Sequence, residues 1–372
     1  MSSPQPLRRR DAVGHLLHPR QFLDSLVVGP QASVRNSTLA GAQAALTILI
    51  ALSWVYYVSP WPHLIGFASL GALAALIGRF DGAARRRLRL VECGLIQVGT
   101  VLVISTAAWL GASEGQQLAL LALVCGGLYF IGMRQRLGPP GPLIFVFAAS
   151  ASVSPQGLSL SQLGERVAAV AAVAALAWVL SVLTDRLRER REAQPVALQA
   201  PAPPTRELLI GAARCVVGAG LAMAISRALG GSHPAWAALG VVAVLQGPRL
   251  HLVMNRAIQR MAGTLVGAVL AWLLLSQTPD VLVVILVLAA LQTATEMVIG
   301  YNYGLGQIFV TPMALMMTWL GAARTLGPEI APERVLETCL GAVVGVLLAI
   351  VLSTLEDRQH LAKVREAKRQ AV

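Results

Sequence analysis

HPAWAALGVVAVLQGPRLHLVMNRAIQRMAGTLVGAVLAWL, residues 233–273, runs from an apolar stretch through a basic one into a second apolar stretch. Neither 234–245 nor 261–275 holds a charged residue, while Arg249, Arg256 and Arg260 lie between them. A bilayer core about 30 Å thick takes about 20 apolar residues in helical form. The segment therefore predicts two membrane helices joined by a basic connection. The first is short, and a short or re-entrant helix is tolerable in lipid only if protein shields it.

The rest of the chain has the same character. Of its 372 residues 56% are hydrophobic and 13% charged, against about 25% charged in a soluble domain. That excludes an ordinary water-facing surface, and the apolar content excludes disorder. Cys93, Cys125, Cys215 and Cys339 sit singly inside apolar runs, which excludes a disulfide scaffold and a zinc site. The net charge of +12 would suggest nucleic acid on a soluble protein. Here the basic residues cluster between apolar runs, where they set topology, so no nucleic-acid partner is expected. The first residues are charged (Arg8, Arg9, Arg10, Asp11, Arg20, Asp24 and Arg35) and do not read as a secretory signal.

Twelve apolar segments are expected to be helices, at 39–58, 61–78, 90–110, 116–132, 142–153, 167–183, 208–225, 234–245, 261–275, 281–299, 304–320 and 335–355. The connections alternate. The N-terminus, 79–89, 133–137, 186–206, 249–260 and the tail after Glu356 are basic. In the other set, of the 30 Lys and Arg, only Arg166, Arg227, Arg324 and Arg334 occur. Basic connections stay inside, so both termini are expected in the cytoplasm. The uncharged turn 300–303 is the exception.

The chain also repeats. Ser181-Val-Leu-Thr-Asp185-Arg186 returns as Ser353-Thr-Leu-Glu-Asp357-Arg358, Glu165-Arg166-Val167 as Glu333-Arg334-Val335, and Ile144-Phe145-Val146 as Ile308-Phe309-Val310. The expected fold is all-α and polytopic, two parallel six-helix repeats. Its parts are a cytoplasmic N-terminal segment (1–36), a first repeat (37–185), a cytoplasmic linker (186–206), a second repeat (207–355) and a basic cytoplasmic tail (356–372), read as a solvated end near anionic lipid. In transporters of repeated design the substrate path lies where the halves meet.

The Pro234-x-Trp236 helix, the basic connection, Arg256, Arg260, Gly263-Thr264 and Gly267 together resemble the fusaric acid resistance protein-like family of inner-membrane transporters, related to the aromatic acid exporters. The first half keeps an eroded version in Pro62, Arg79, Arg85–Arg87, Gly94 and Gly99. The resemblance implies a multi-pass protein of the bacterial inner membrane and proton-driven export of small aromatic or amphipathic carboxylates. Many members carry a large cytosolic domain between the halves, where this chain has a short tether rich in Ala, Pro and Gln.

Charges inside a membrane are costly and mark function by default. Glu92, Glu296, Glu337 and Arg214 fall within apolar segments. Glu296 and Arg260 are expected at similar depth on consecutive helices, with Gln292 on the face of Glu296, as a pair able to bind a proton and an organic anion in turn. Its alternative is an ion pair that only locks helices. Arg256, Arg260 and Thr264 share a helix face that attracts anions. Tyr301, Asn302 and Gln307, in a glycine-rich edge, are candidate contacts to an aromatic carboxylate. Glu92 with Arg89, and Glu337 with Arg334, read as local surface pairs, Arg214 as a snorkelling side chain, and His63 and His233 as isolated. The motifs Gly263-x-x-x-Gly267 and Gly341-x-x-x-Gly345 read as helix packing. No P-loop, G-x-S-x-G or H-E-x-x-H occurs, so neither an enzyme nor a cofactor is expected. The expected partners are a small organic anion and membrane lipid, with an oligomer left open. A passive organic-anion channel and a non-transporting scaffold are the competing readings.

Overall fold

The computed structural model of the protein describes residues 8–29, 33–78, 81–138, 140–188, 203–247 and 249–370. Every regular element among them is helical. Two short helices, α1 (Arg9–Leu16) and α2 (Pro19–Ser25), come first. Then follow α3 (Val34–Ser53), α4 (Ile65–Ala72), α5 (Ala83–Trp109), α6 (Glu114–Arg134), α7 (Leu143–Ala151) and α8 (Leu160–Leu183). The second series is α9 (Thr205–Ala228), α10 (Ala235–Leu245), α11 (Leu250–Ser276), α12 (Val281–Val298), α13 (Tyr303–Gly321) and α14 (Ile330–Val351), with α15 (Leu355–Gln370) last. The greater part of the expected linker, 189–202, lies outside the described residues, as do Arg79 and residues 1–7.

Each of the twelve expected segments falls on one of α3–α14, but they are not twelve equal crossings. Among the described residues nine helices are long and apolar enough to span a membrane. The other three segments are short. One is Pro62–Leu76, where α4 is flanked by single 3-10 turns, and one is Ala235–Leu245. The third, α7, has nine residues. All residues of α10 and Leu143–Ser150 of α7 are buried. These helices lie among other helices rather than in lipid, which is what makes their short length tolerable.

Two basic connections are not loops. α5 starts at Ala83 and takes in Arg85–Arg89, and α11 starts at Leu250 and takes in Arg256 and Arg260. Arginine is a good helix former, and its long stem lets a helix continue past the apolar region while the head seeks polar partners.

The two series use the same neighbours. α3 packs on α4 and α8 as α9 packs on α10 and α14; α5 packs on α7 and α8 as α11 packs on α13 and α14. Between the series the contacts are reciprocal, with α3 against α12 and α9 against α6, and α4 against α13 and α10 against α7. Small residues allow these approaches. A Cβ on Gly41 of α3 would stand 3.0 Å from Thr293 Cα of α12. Gly341 meets Ala237 and Gly240 of α10, and Gly263 and Gly267 meet Gly304, Ile308 and Thr311 of α13. Both G-x-x-x-G motifs thus sit at helix contacts.

The two ends of the chain are docked. α2 lies on α11, where Gln21 Nε2 donates to His251 O (3.1 Å) and Asn255 Oδ1 (2.5 Å). α15 packs on α1 and α11 and buries Leu361 and Ala362.

Candidate functional site

α4, α7, α10 and α13, three short helices and one with Pro312 inside it, meet where the two series join. A cavity of about 60 Å³ lies there. The first series gives it an apolar wall of Leu73, Leu76, Leu143, Ile144 and Phe147. The second series supplies its polar groups, Arg260 of α11, Thr295 and Glu296 of α12, Gln307 of α13 and Arg334 of α14.

Three of the expected residues, Glu296, Arg260 and Gln307, therefore face one space. Arg260 Nη1 donates to Gln307 Oε1 (2.8 Å) and to the Tyr303 hydroxyl (3.2 Å). Glu296 is fully buried and within electrostatic reach of Arg86 and Arg188. Gln43 Oε1 accepts from both of those arginines, at 2.6 and 3.1 Å, and Asp185 takes Arg87 (2.8 Å). The charge of Glu296 thus bridges the series, since Arg86 and Arg188 belong to the first.

The other expected residues do not line the cavity. Arg256 lies over the Tyr303 ring, 5.4 Å from its centroid, with Nη1 directed at Ala243 O (3.4 Å) and Gln246 Oε1 (3.5 Å). Gln292 and Thr264 are buried, and their side-chain polar atoms have no hydrogen-bond partner among the described residues. Asn302 caps α13, its Oδ1 accepting from Gly304 N (2.7 Å), while Nδ2 donates to the carbonyls of Ser25 (3.0 Å) and Val27 (3.1 Å). The carbonyl of Tyr301 accepts from Gly29 N (2.9 Å). The Asn302 side chain and the Tyr301 carbonyl thus clasp the segment after α2.

The structure gives several of these residues partners that the sequence did not name. Arg89 bonds to Gln135 O (2.8 Å) and faces Asp81 (3.7 Å), two partners on neighbouring turns that the local pair with Glu92 left out. Glu337 Oε1 accepts from Ser226 Oγ (2.6 Å). Arg214 reaches the carbonyl of Leu352, just past α14. The two histidines are not isolated, for His63 Nε2 lies 3.1 Å from Glu165 and His233 Nδ1 2.8 Å from Glu333.

Arg334 is the residue that sequence reasoning missed. It counted as one of the few cations of an outer connection, yet it stands in the first turn of α14, 3% exposed. The recurring Glu-Arg-Val was the available signal, since it marks one position in both halves as worth a comparison. Among the described residues no three His, Cys, Asp or Glu side chains gather to hold a metal.

Residues 221–348 match the family model described as fusaric acid resistance protein-like. An uncharacterized membrane protein, YvaC of Bacillus subtilis (strain 168), is 33% identical over 125 residues. That match covers 34% of this chain and 20% of the relative, so the chain spans about a fifth of the length of the curated relative it matches. No solved structure matches. The resemblance first read at 233–273 therefore extends over 221–348 and takes in every polar residue of the cavity.

Proposed function

We propose that this polytopic helical membrane protein is a secondary transporter that exports small aromatic or amphipathic organic acids, driven by protons. One observation carries the reading. A buried carboxylate, Glu296, and a buried guanidinium, Arg260, face the same cavity where three short helices and the Pro312-containing α13 meet. Ionisable groups in such a place are expensive and belong to substrate or proton pathways, and central sites between repeats are where transporters bind their cargo.

In this reading Arg260 attracts the anion, Gln307 and Tyr303 hold the guanidinium in place, and Glu296 takes up and releases the proton. The repeated neighbour pattern supports two parallel six-helix units related by an axis along the membrane normal. The alternation of basic and bare connections supports α3–α14 as twelve passages, both termini in the cytoplasm and the bacterial inner membrane as the location. A passive organic-anion channel is the second reading, favoured by the two arginines that line the cavity, Arg260 and Arg334.

Reconstituted protein tests it. Benzoate flux into proteoliposomes should accelerate when a pH gradient is imposed and should not be accompanied by uncoupled anion current. Flux indifferent to the gradient, with a benzoate current, would refute the exporter and leave the channel.

A further inference from the structure

The two halves hold one constellation twice. In each, a histidine at the start of the second segment pairs with a glutamate in the first turns of the sixth helix, His63 with Glu165 and His233 with Glu333. In each, the arginine after that glutamate lies over an aromatic ring, Arg166 over Phe67 at 4.8 Å and Arg334 over Trp236 at 5.1 Å.

Beyond that shared frame they differ. Arg166 Nη1 points at Ser152 O (3.4 Å). Arg334 faces the cavity, and its Nε and Nη1 have no hydrogen-bond partner among the described residues. Of the two carboxylates near it on its helix, Glu333 is taken by His233 and Ser232, and Glu337 has turned one oxygen to Ser226. Trp236, under Arg334, also stacks on His233 at 4.2 Å. Burying a guanidinium with unused donors is unfavourable unless something fills them. Arg260 lies within electrostatic reach of Arg334 across the same cavity, which Glu296 also lines, and Glu337 lies within reach of Arg334 as well. When Glu296 holds its proton, as the transport reading has it, two guanidinium groups face one space. An anion between them would relieve the repulsion and accept from the unused donors.

We propose that Arg334 is the second anchor of an anion site, and that the carboxylate of a small organic acid binds in the cavity between Arg334 and Arg260. The ligand class rests on the transport reading above. A carboxylate suits the site because a guanidinium offers parallel N–H donors to two oxygens. Arg166, its duplicate, has a structural role only.

The test uses the full chain purified in detergent, with sodium benzoate as the probe and calorimetric titration as the readout. Arg334→Gln should weaken benzoate binding by about tenfold to a hundredfold, as expected for lost charge-assisted hydrogen bonds. Arg166→Gln should leave the affinity unchanged. If Arg334→Gln does not fold, Arg334→Lys keeps the charge without the paired donors and should bind measurably more weakly than wild type. Wild-type affinity in the folded Arg334 variants, or no benzoate binding by the wild type, would overturn the site. Flux distinguishes the two proposals. Arg334-dependent binding without transport by the wild type sinks the transporter and keeps the site, whereas transport with an unaltered KM in Arg334→Gln sinks the site alone.

Discussion

Glu333 holds His233 twice, accepting from its ring Nδ1 at 2.8 Å through Oε2 and from its backbone N–H at 2.8 Å through Oε1. The same Oε1 accepts from Ser232 N at 2.7 Å. The start of α10 is thereby tied to the first turn of α14. In the first half His63 and Glu165 make a single contact at 3.1 Å, with the histidine largely exposed.

Glu333→Ala should therefore be the more harmful of the two deletions. It removes the acceptor for three donors, a loss of about 1–3 kcal/mol, whereas Glu165→Ala should change stability little. Thermal unfolding in detergent measures the difference, and equal shifts would show that the two clamps are equivalent.

Asn302 joins α13 to the segment after α2 through its cap and its two carbonyl contacts. Asn302→Ala should cost about 1 kcal/mol for the cap and speed amide exchange over 26–29, read by hydrogen exchange. Asn302→Asp should keep the cap and still release the segment, because a carboxylate cannot donate to Ser25 and Val27. Unchanged exchange in both variants would mean that α2 and Gln259, which donates to Ser25 O at 2.6 Å, hold the segment unaided.

The orientation can be read with single cysteines in a background lacking Cys93, Cys125, Cys215 and Cys339. Cysteine at Gln277, beyond α11, should react with an impermeant reagent added outside intact cells. Cysteine at Thr205, at the start of α9, should react only after permeabilisation. The reverse pattern would invert the proposed topology.

Glu296→Gln keeps the side chain's shape and removes its proton. Benzoate counterflow should survive, and acceleration by a pH gradient should disappear. If the gradient still drives the variant as it drives the wild type, Glu296 is a packing residue. Its charge would then only balance Arg86 and Arg188 across the junction of the two series.

Much of the helical pattern was legible because lipid imposes a simple rule. A largely apolar segment must hide its backbone in a helix, so α6, α9 and α12 follow closely from hydropathy, while α3, α8 and α14 begin earlier, at Val34, Leu160 and Ile330. The same rule could not see that α5 and α11 run on through Arg85–Arg89 and Arg256–Arg260. Arginine marks an interface in a hydropathy reading, yet it prolongs a helix when its head finds a partner, as Arg86 does with Gln43 and Arg260 with Gln307.

By itself, then, the sequence determined an all-helical membrane protein, its order of segments, and Glu296 as a carboxylate inside an apolar helix with Arg260 on the helix before it. Hydropathy and charge are local properties, and these conclusions need nothing else. The tertiary structure alone decided which side chains share the cavity. It brought Arg334 of α14 to Arg260 and Glu296, and it set the Asn302 side chain and the Tyr301 carbonyl against the segment after α2. Helix packing sets such meetings through close approaches such as Gly341 on Gly240, and those approaches depend on neighbours more than a hundred residues apart.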